Sequence, residues 1–172
     1  MGFFTHVIVI QAVGKEAVMS SKNLFVYGTL IFDGVLQSLL GRIPDKEPAQ
    51  VEGFEVITIH LEGWQPFPVM IKSQLTSGII EKVDGYILKD LSHEDFKVLD
   101  RYEYVHRGYY LRKQLKLVSG NLASYYEPAQ SLFNIGTLGK PWDMTAIDPL
   151  LESVYVDSVV PGFKKEHPDL FF

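Results

Sequence analysis

Apolar residues in this chain fall into short runs and alternations broken by glycine and proline, the pattern of many short strands separated by helices. Asn-Leu-Phe-Val-Tyr at 23–27 is an apolar run closed by Gly28, which predicts a buried strand entering a tight turn. Asp33 is placed to cap a helix whose stripe is Val35, Leu36, Leu39 and Leu40, with Gly41 as its stop. Ala49–His60 alternates through Val51, Phe54, Val56 and Ile59, as one strand or a bent pair. Gly63–Pro68 reads as a loop before a strand at Val69–Ile71, and Val83–Leu88 as a strand whose glycine marks a close backbone approach.

Ser92, followed three residues later by Asp95 and then by Phe96, Val98, Leu99 and Tyr102, predicts a capped amphipathic helix. Tyr109–Val118 and Leu122–Tyr126 flank Ser119-Gly120-Asn121, a hairpin signal. Met144–Val160 reads as helical in part, broken near Pro149 and ended by Pro161-Gly162. An antiparallel hairpin among many strands excludes a purely parallel doubly wound sheet and predicts an α+β fold with a curled, barrel-like sheet.

The first residues change this picture little. His6–Ala12 is rich in β-formers and reads as an extra strand, or as an extension upstream of a start at Met19. It lacks the basic n-region of a secretory signal, the length of a membrane span and the serine or threonine of a myristoylation motif. Residues 1–22 are therefore set apart as an extension, 23–172 as one domain, and a cytoplasmic location is expected.

Sixteen basic against twenty-one acidic residues give a net charge of −5, which argues against nucleic acid or an anionic membrane as partner. The chain has no cysteine, so thiol nucleophiles, disulfides and thiolate metal sites are excluded. Its five histidines show no helical zinc spacing, and neither a GxSxG elbow nor a GxGxxG motif is present. Gly136-Thr-Leu-Gly-Lys140 resembles half a phosphate-binding loop and reads better as a turn. Carboxylates, hydroxyls, imidazoles and backbone dipoles remain for chemistry.

Two features stand out. At Val26-Tyr-Gly-Thr-Leu30 a strand runs straight into a glycine turn, whose successive N–H groups suit a carboxylate or a developing oxyanion. Phe96, Leu99 and Glu103 fall at i, i+3 and i+7, so Glu103 continues the inward stripe of its helix close to the C-terminal end. Burial and the helix dipole both raise a carboxyl pKa there, toward the value a general base needs near neutral pH. Tyr102 and Tyr104 flank it and would help to keep it dry.

Together these residues resemble the γ-glutamylcyclotransferase-like family, which includes γ-glutamylamine cyclotransferases and plant avirulence-induced proteins. The likeness runs from Leu24 to about Trp142, through Phe-Val-Tyr-Gly-Thr-Leu at 25–30, Leu-Leu-Gly-Arg at 39–42, Gly53-Phe54, Phe67-Pro68 and Gly85-Tyr86. It continues through Leu99-Asp-x-Tyr-Glu103, Tyr110-x-Arg112 and Ala123-x-Tyr125. The resemblance implies a small twisted β-barrel with peripheral helices and a cyclotransferase releasing 5-oxoproline from a small γ-glutamyl amide. It implies Glu103 as catalytic acid/base and Tyr27, Gly28, Thr29, Leu30, Tyr110 and Tyr125 as substrate-binding residues, with no cofactor and no metal. Two other readings are a non-catalytic binding module on the same barrel and γ-glutamyl transfer on a larger carrier. The leaving group and the oligomeric state are left open by the sequence.

Overall fold

In the computed structural model, residues 22–74, 80–142 and 150–171 are described. The proposed N-terminal strand at His6–Ala12 and the first part of Met144–Val160 lie outside them.

The strands form two sheets. β1 (Leu24–Val26), β2 (Lys46–Glu52), β5 (Lys82–Leu88), β6 (Tyr110–Lys116) and β7 (Leu122–Pro128) make a five-stranded sheet in the order β2-β5-β1-β7-β6. β3 (Phe54–His60), β4 (Phe67–Lys72) and β8 (Thr137–Pro141) make a second, in the order β4-β3-β8. Pairing is antiparallel except between β1 and β7, where Leu24 stands opposite Ser124 in a parallel bridge. The α+β class is as expected, but the sheets twist without closing into a barrel. The reason lies at Gly53, where the chain turns so that β2 pairs with β5 and β3 pairs with β4 and β8.

Ala49–His60 is thus a bent pair whose halves serve different sheets. Gly136–Lys140 contributes an edge strand, β8, rather than a turn.

Alternation along β1 divides the interior in two. Leu24 and Val26 enter a core shared with the helices, whereas Phe25 and the following Tyr27 enter a second core with Val51, Met70, Val83 and Ile87. Burial on both faces explains why residues 24–27 are apolar without a break. Neighbouring β5 passes so close that a Cβ at Gly85 would lie 2.4 Å from the Val26 carbonyl oxygen, which is why glycine stands there.

Helix α1 (Asp33–Leu40) buries Val35, Leu36 and Leu39 as predicted. Asp33 does not cap it: Asp33 is the first helical residue, and its carboxylate is drawn to Lys46 Nζ at 2.5 Å. Helix α2 (His93–Tyr102) carries the predicted capping box. Asp95 N–H donates to Ser92 Oγ at 3.0 Å, Ser92 N–H donates to Asp95 Oδ2 at 2.8 Å, and Arg42 holds the same carboxylate at 2.6 Å. Helix α3 (Gln130–Ile135) leads into β8.

The C-terminal segment is α4 (Leu150–Val154), a π-helical turn (Tyr155–Val159) and α5 (Val160–Glu166). Pro161-Gly162 therefore does not end the helix. In the widened turn Val160 N–H reaches back to the Tyr155 carbonyl, and the ladder passes Pro161, which has no N–H to give.

Candidate active site

Glu103 is the C-cap of α2, and its N–H still bonds to the Leu99 carbonyl at 2.9 Å. The capping box at Ser92 fixes one end of this helix, and buried Phe96, Val98, Leu99 and Tyr102 fix its face, so the position of Glu103 is set by packing. Tyr104 then takes φ 52°, a left-handed conformation that costs a bulky side chain about 1–2 kcal/mol. Strain of this kind tends to be stored at functional sites.

The Glu103 side chain lies deep in the molecule yet keeps some accessible surface, because it lines a cavity of about 500 Å³. Burial pushes its carboxyl up to about 7, and burial alone accounts for the shift. At neutral pH such a group can both accept and return a proton.

The turn after β1 faces the same cavity, with Tyr27, Gly28, Thr29 and Leu30 all in its lining. Residues 29–31 form a single 3₁₀ turn whose own bonds run from Ile31 N–H to the Gly28 carbonyl and from Phe32 N–H to the Thr29 carbonyl. The Thr29 and Leu30 amides precede these bonds and are not used by the turn, as at any helix start. Tyr27 and Leu30 anchor the turn from either side. Leu30 is buried in the core shared with the helices; the Tyr27 ring is in the second core, where its hydroxyl accepts Met70 N–H at 2.9 Å.

Tyrosines crowd the carboxyl. Burial raises Tyr27, Tyr102, Tyr104, Tyr110, Tyr126 and Tyr155, and the charge of Glu103 adds to the effect at each. All line the cavity and all stay protonated at neutral pH. Some of these hydroxyls are committed: Tyr126 donates to Asp100 Oδ1 at 2.8 Å, and Tyr102 interacts with the Thr29 hydroxyl. Tyr155, pushed up to about 12, and Tyr110 are shifted by burial and neighbouring groups with no hydrogen bond contributing.

The structure brings Glu103, Tyr27, Gly28, Thr29, Leu30 and Tyr110 together. Tyr125 stands apart. It belongs to the second core, packs edge-on against Phe54 and donates to Glu127 Oε1 at 2.8 Å. Successive residues of a strand point to opposite faces, so its neighbour Tyr126 reaches the cavity instead. Sequence reasoning passed over Trp64, Tyr126, Tyr155 and Glu166, all of which line the cavity. Trp64 carried a signal, an aromatic side chain in a Gly/Pro-rich loop; the C-terminal helix carries no motif. Among the described residues no three His, Asp or Glu side chains gather as they would around a metal ion. No described helix is long and apolar enough to cross a membrane.

A family model described as gamma-glutamyl cyclotransferase, AIG2-like, matches residues 24–134, which include the turn after β1 and Glu103. The chain belongs to that family. AIG2-like protein C of Arabidopsis thaliana is 33% identical over 81 residues, covering 47% of this chain and 42% of that protein. The chain thus spans less than half the length of this curated relative. Among solved structures, one titled gamma-glutamyl cyclotransferase superposes with a TM-score of 0.55 at 14% identity, covering 84% of this chain and 78% of the other. A solution structure from Arabidopsis thaliana gives a TM-score of 0.50 at 21% identity, over 84% and 80% of the two chains. At such identities the likeness is one of fold.

Proposed function

We propose that this γ-glutamyl cyclotransferase-like chain converts a γ-glutamyl amide into 5-oxoproline and a free amine. The observation that carries this reading is the shared cavity of Glu103 and the Gly28–Leu30 backbone. The substrate contains its own nucleophile. Its α-amine attacks the γ-carbonyl carbon, a carbon–nitrogen bond closes the five-membered ring, and the bond to the leaving amine breaks. The protein must hold the chain folded in a near-attack geometry, which by itself removes several kcal/mol of the barrier.

Glu103 takes the proton from the attacking ammonium and delivers it to the departing nitrogen. One carboxyl with a pKa of about 7 suits both transfers. The amides of Thr29 and Leu30 receive the glutamyl carboxylate or the oxyanion that develops on the carbonyl. The Tyr110 and Tyr155 hydroxyls, neutral at this pH, are further donors to the folded substrate. A volume of about 500 Å³ suits a small molecule better than a macromolecular carrier.

The test is a panel of γ-glutamyl amides incubated with purified protein, with 5-oxoproline measured by mass spectrometry. Release from at least one donor is expected. Binding of donors without release would favour the non-catalytic module.

A further inference from the structure

The cavity differs in chemistry from one part to another. Around Glu103 and the Gly28–Leu30 backbone it offers a base and amide donors. Toward solvent its wall includes Trp64, from the loop between β3 and β4, Tyr104, just past α2, and Glu166, the last residue of α5. Trp64 and Glu166 are exposed. The Trp64 ring lies 5.0 Å from that of Tyr104 and 6.1 Å from that of Phe67, so the aromatic surface is continuous. Glu166 and Arg107 are both close enough for their charges to act on the Tyr104 phenol, in opposite directions.

The charges of the lining are one-sided. Among its described residues stand two carboxylates, Glu103 and Glu166, and no lysine, arginine or histidine. Arg107 lies 5.4 Å from the Tyr104 ring centre but is not part of the lining. The C-terminal helix that carries Glu166 is fixed to the rest of the fold. Gly34 N–H donates to Glu152 Oε1 at 2.7 Å, and Phe163 packs edge-on against Tyr102 with ring centres 5.3 Å apart. Of this wall, Trp64 and Tyr104 lie within the family match at 24–134 and Glu166 lies beyond it.

Donors of one reaction class differ in the amine half. When that half is an amino acid or peptide, it brings a second carboxylate to the mouth. There it meets Glu166 in a lining whose described residues include no cation, an arrangement that interfaces use to reject ligands. An apolar or aromatic amine meets the Trp64–Tyr104 wall instead. Resting on the cyclotransferase reading, we infer that the cavity mouth selects γ-glutamyl amides whose leaving amine is apolar or aromatic and carries no carboxylate.

The experiment compares γ-glutamyl-phenethylamide with γ-glutamyl-phenylalanine, which differ by a single carboxylate, in the wild type, Glu166→Lys and Trp64→Ala. In the wild type kcat/KM should favour the phenethylamide by roughly tenfold or more. Glu166→Lys should shrink that ratio by improving the phenylalanine donor, and Trp64→Ala should raise KM for the phenethylamide. Equal or better use of γ-glutamyl-phenylalanine by the wild type overturns the inference and leaves the cyclotransferase reading standing. So does an unchanged ratio in Glu166→Lys, and so does activity confined to other γ-glutamyl donors. Absence of 5-oxoproline from every donor overturns both.

Discussion

Gly28 lies beneath Pro68: a Cβ added to Gly28 would fall 2.9 Å from Pro68 Cγ. The glycine that the sequence assigned to close approach of a ligand is therefore also required by the packing of the turn against β4. Gly28→Val is expected to lose about 1–3 kcal/mol of stability through overpacking, besides any loss of substrate affinity. Thermal melting of Gly28→Val beside the wild type checks this. An unchanged melting temperature would show that the Pro68 ring yields freely.

Ser92 is far from the cavity but holds the other end of the helix that presents Glu103. Ser92→Ala removes the acceptor of Asp95 N–H and should cost about 1 kcal/mol. The loss should appear in urea denaturation as a lower midpoint at unchanged slope. Turnover per folded molecule should fall only modestly, because buried Leu99 and Tyr102 still hold the helix at its other end.

Tyr110 and Tyr125 were paired by resemblance and are separated by the structure. Tyr125→Phe should cost about 0.5–1.5 kcal/mol of stability through its lost bond to Glu127 and leave kcat/KM unchanged. Tyr110→Phe should lower kcat/KM, since it removes a hydroxyl donor from the cavity that holds Glu103. Steady-state kinetics on both variants, read beside their melting curves, separates the two roles.

What the sequence made legible follows from which interactions are local. The cap at Ser92, the hairpin at Gly120 and the stripe ending at Glu103 depend on residues within a few positions of each other, and each stands as expected. Closure of the sheet does not, because it depends on which distant strand β3 pairs with after Gly53. Asp33 misled because a lysine thirteen residues away competes for its carboxylate. Pro161 misled because a π-helical turn can absorb a missing N–H, and nothing local announces one. Tyr125, implied by the resemblance, faces the second core while its neighbour Tyr126 faces the cavity, because successive strand residues point to opposite faces.

The raised pKa of Glu103 has a consequence for stability. The folded protein binds this proton up to about pH 7, whereas an unfolded glutamate releases it near its ordinary value of 4.5. Between those limits the folded state holds more protons, so stability falls as pH rises through the window and levels off above it. Glu103→Gln removes this dependence and should make the protein more stable at pH 8 by about 1–3 kcal/mol, with little gain at pH 4.5. Urea midpoints of wild type and variant at the two values check the sign.

Turnover by Glu103→Gln decides whether this carboxyl carries the proton. The amide keeps the size and hydrogen-bonding shape of the carboxyl but cannot take a proton from the substrate ammonium. With a γ-glutamyl donor that the wild type uses, 5-oxoproline release by the variant should fall about 10²–10⁴-fold while calorimetric binding of the donor persists. The wild-type kcat/KM should also rise with pH around pH 7, a limb the variant lacks. Wild-type turnover by Glu103→Gln would contradict the account and leave Glu103 a buried helix cap with no part in the chemistry.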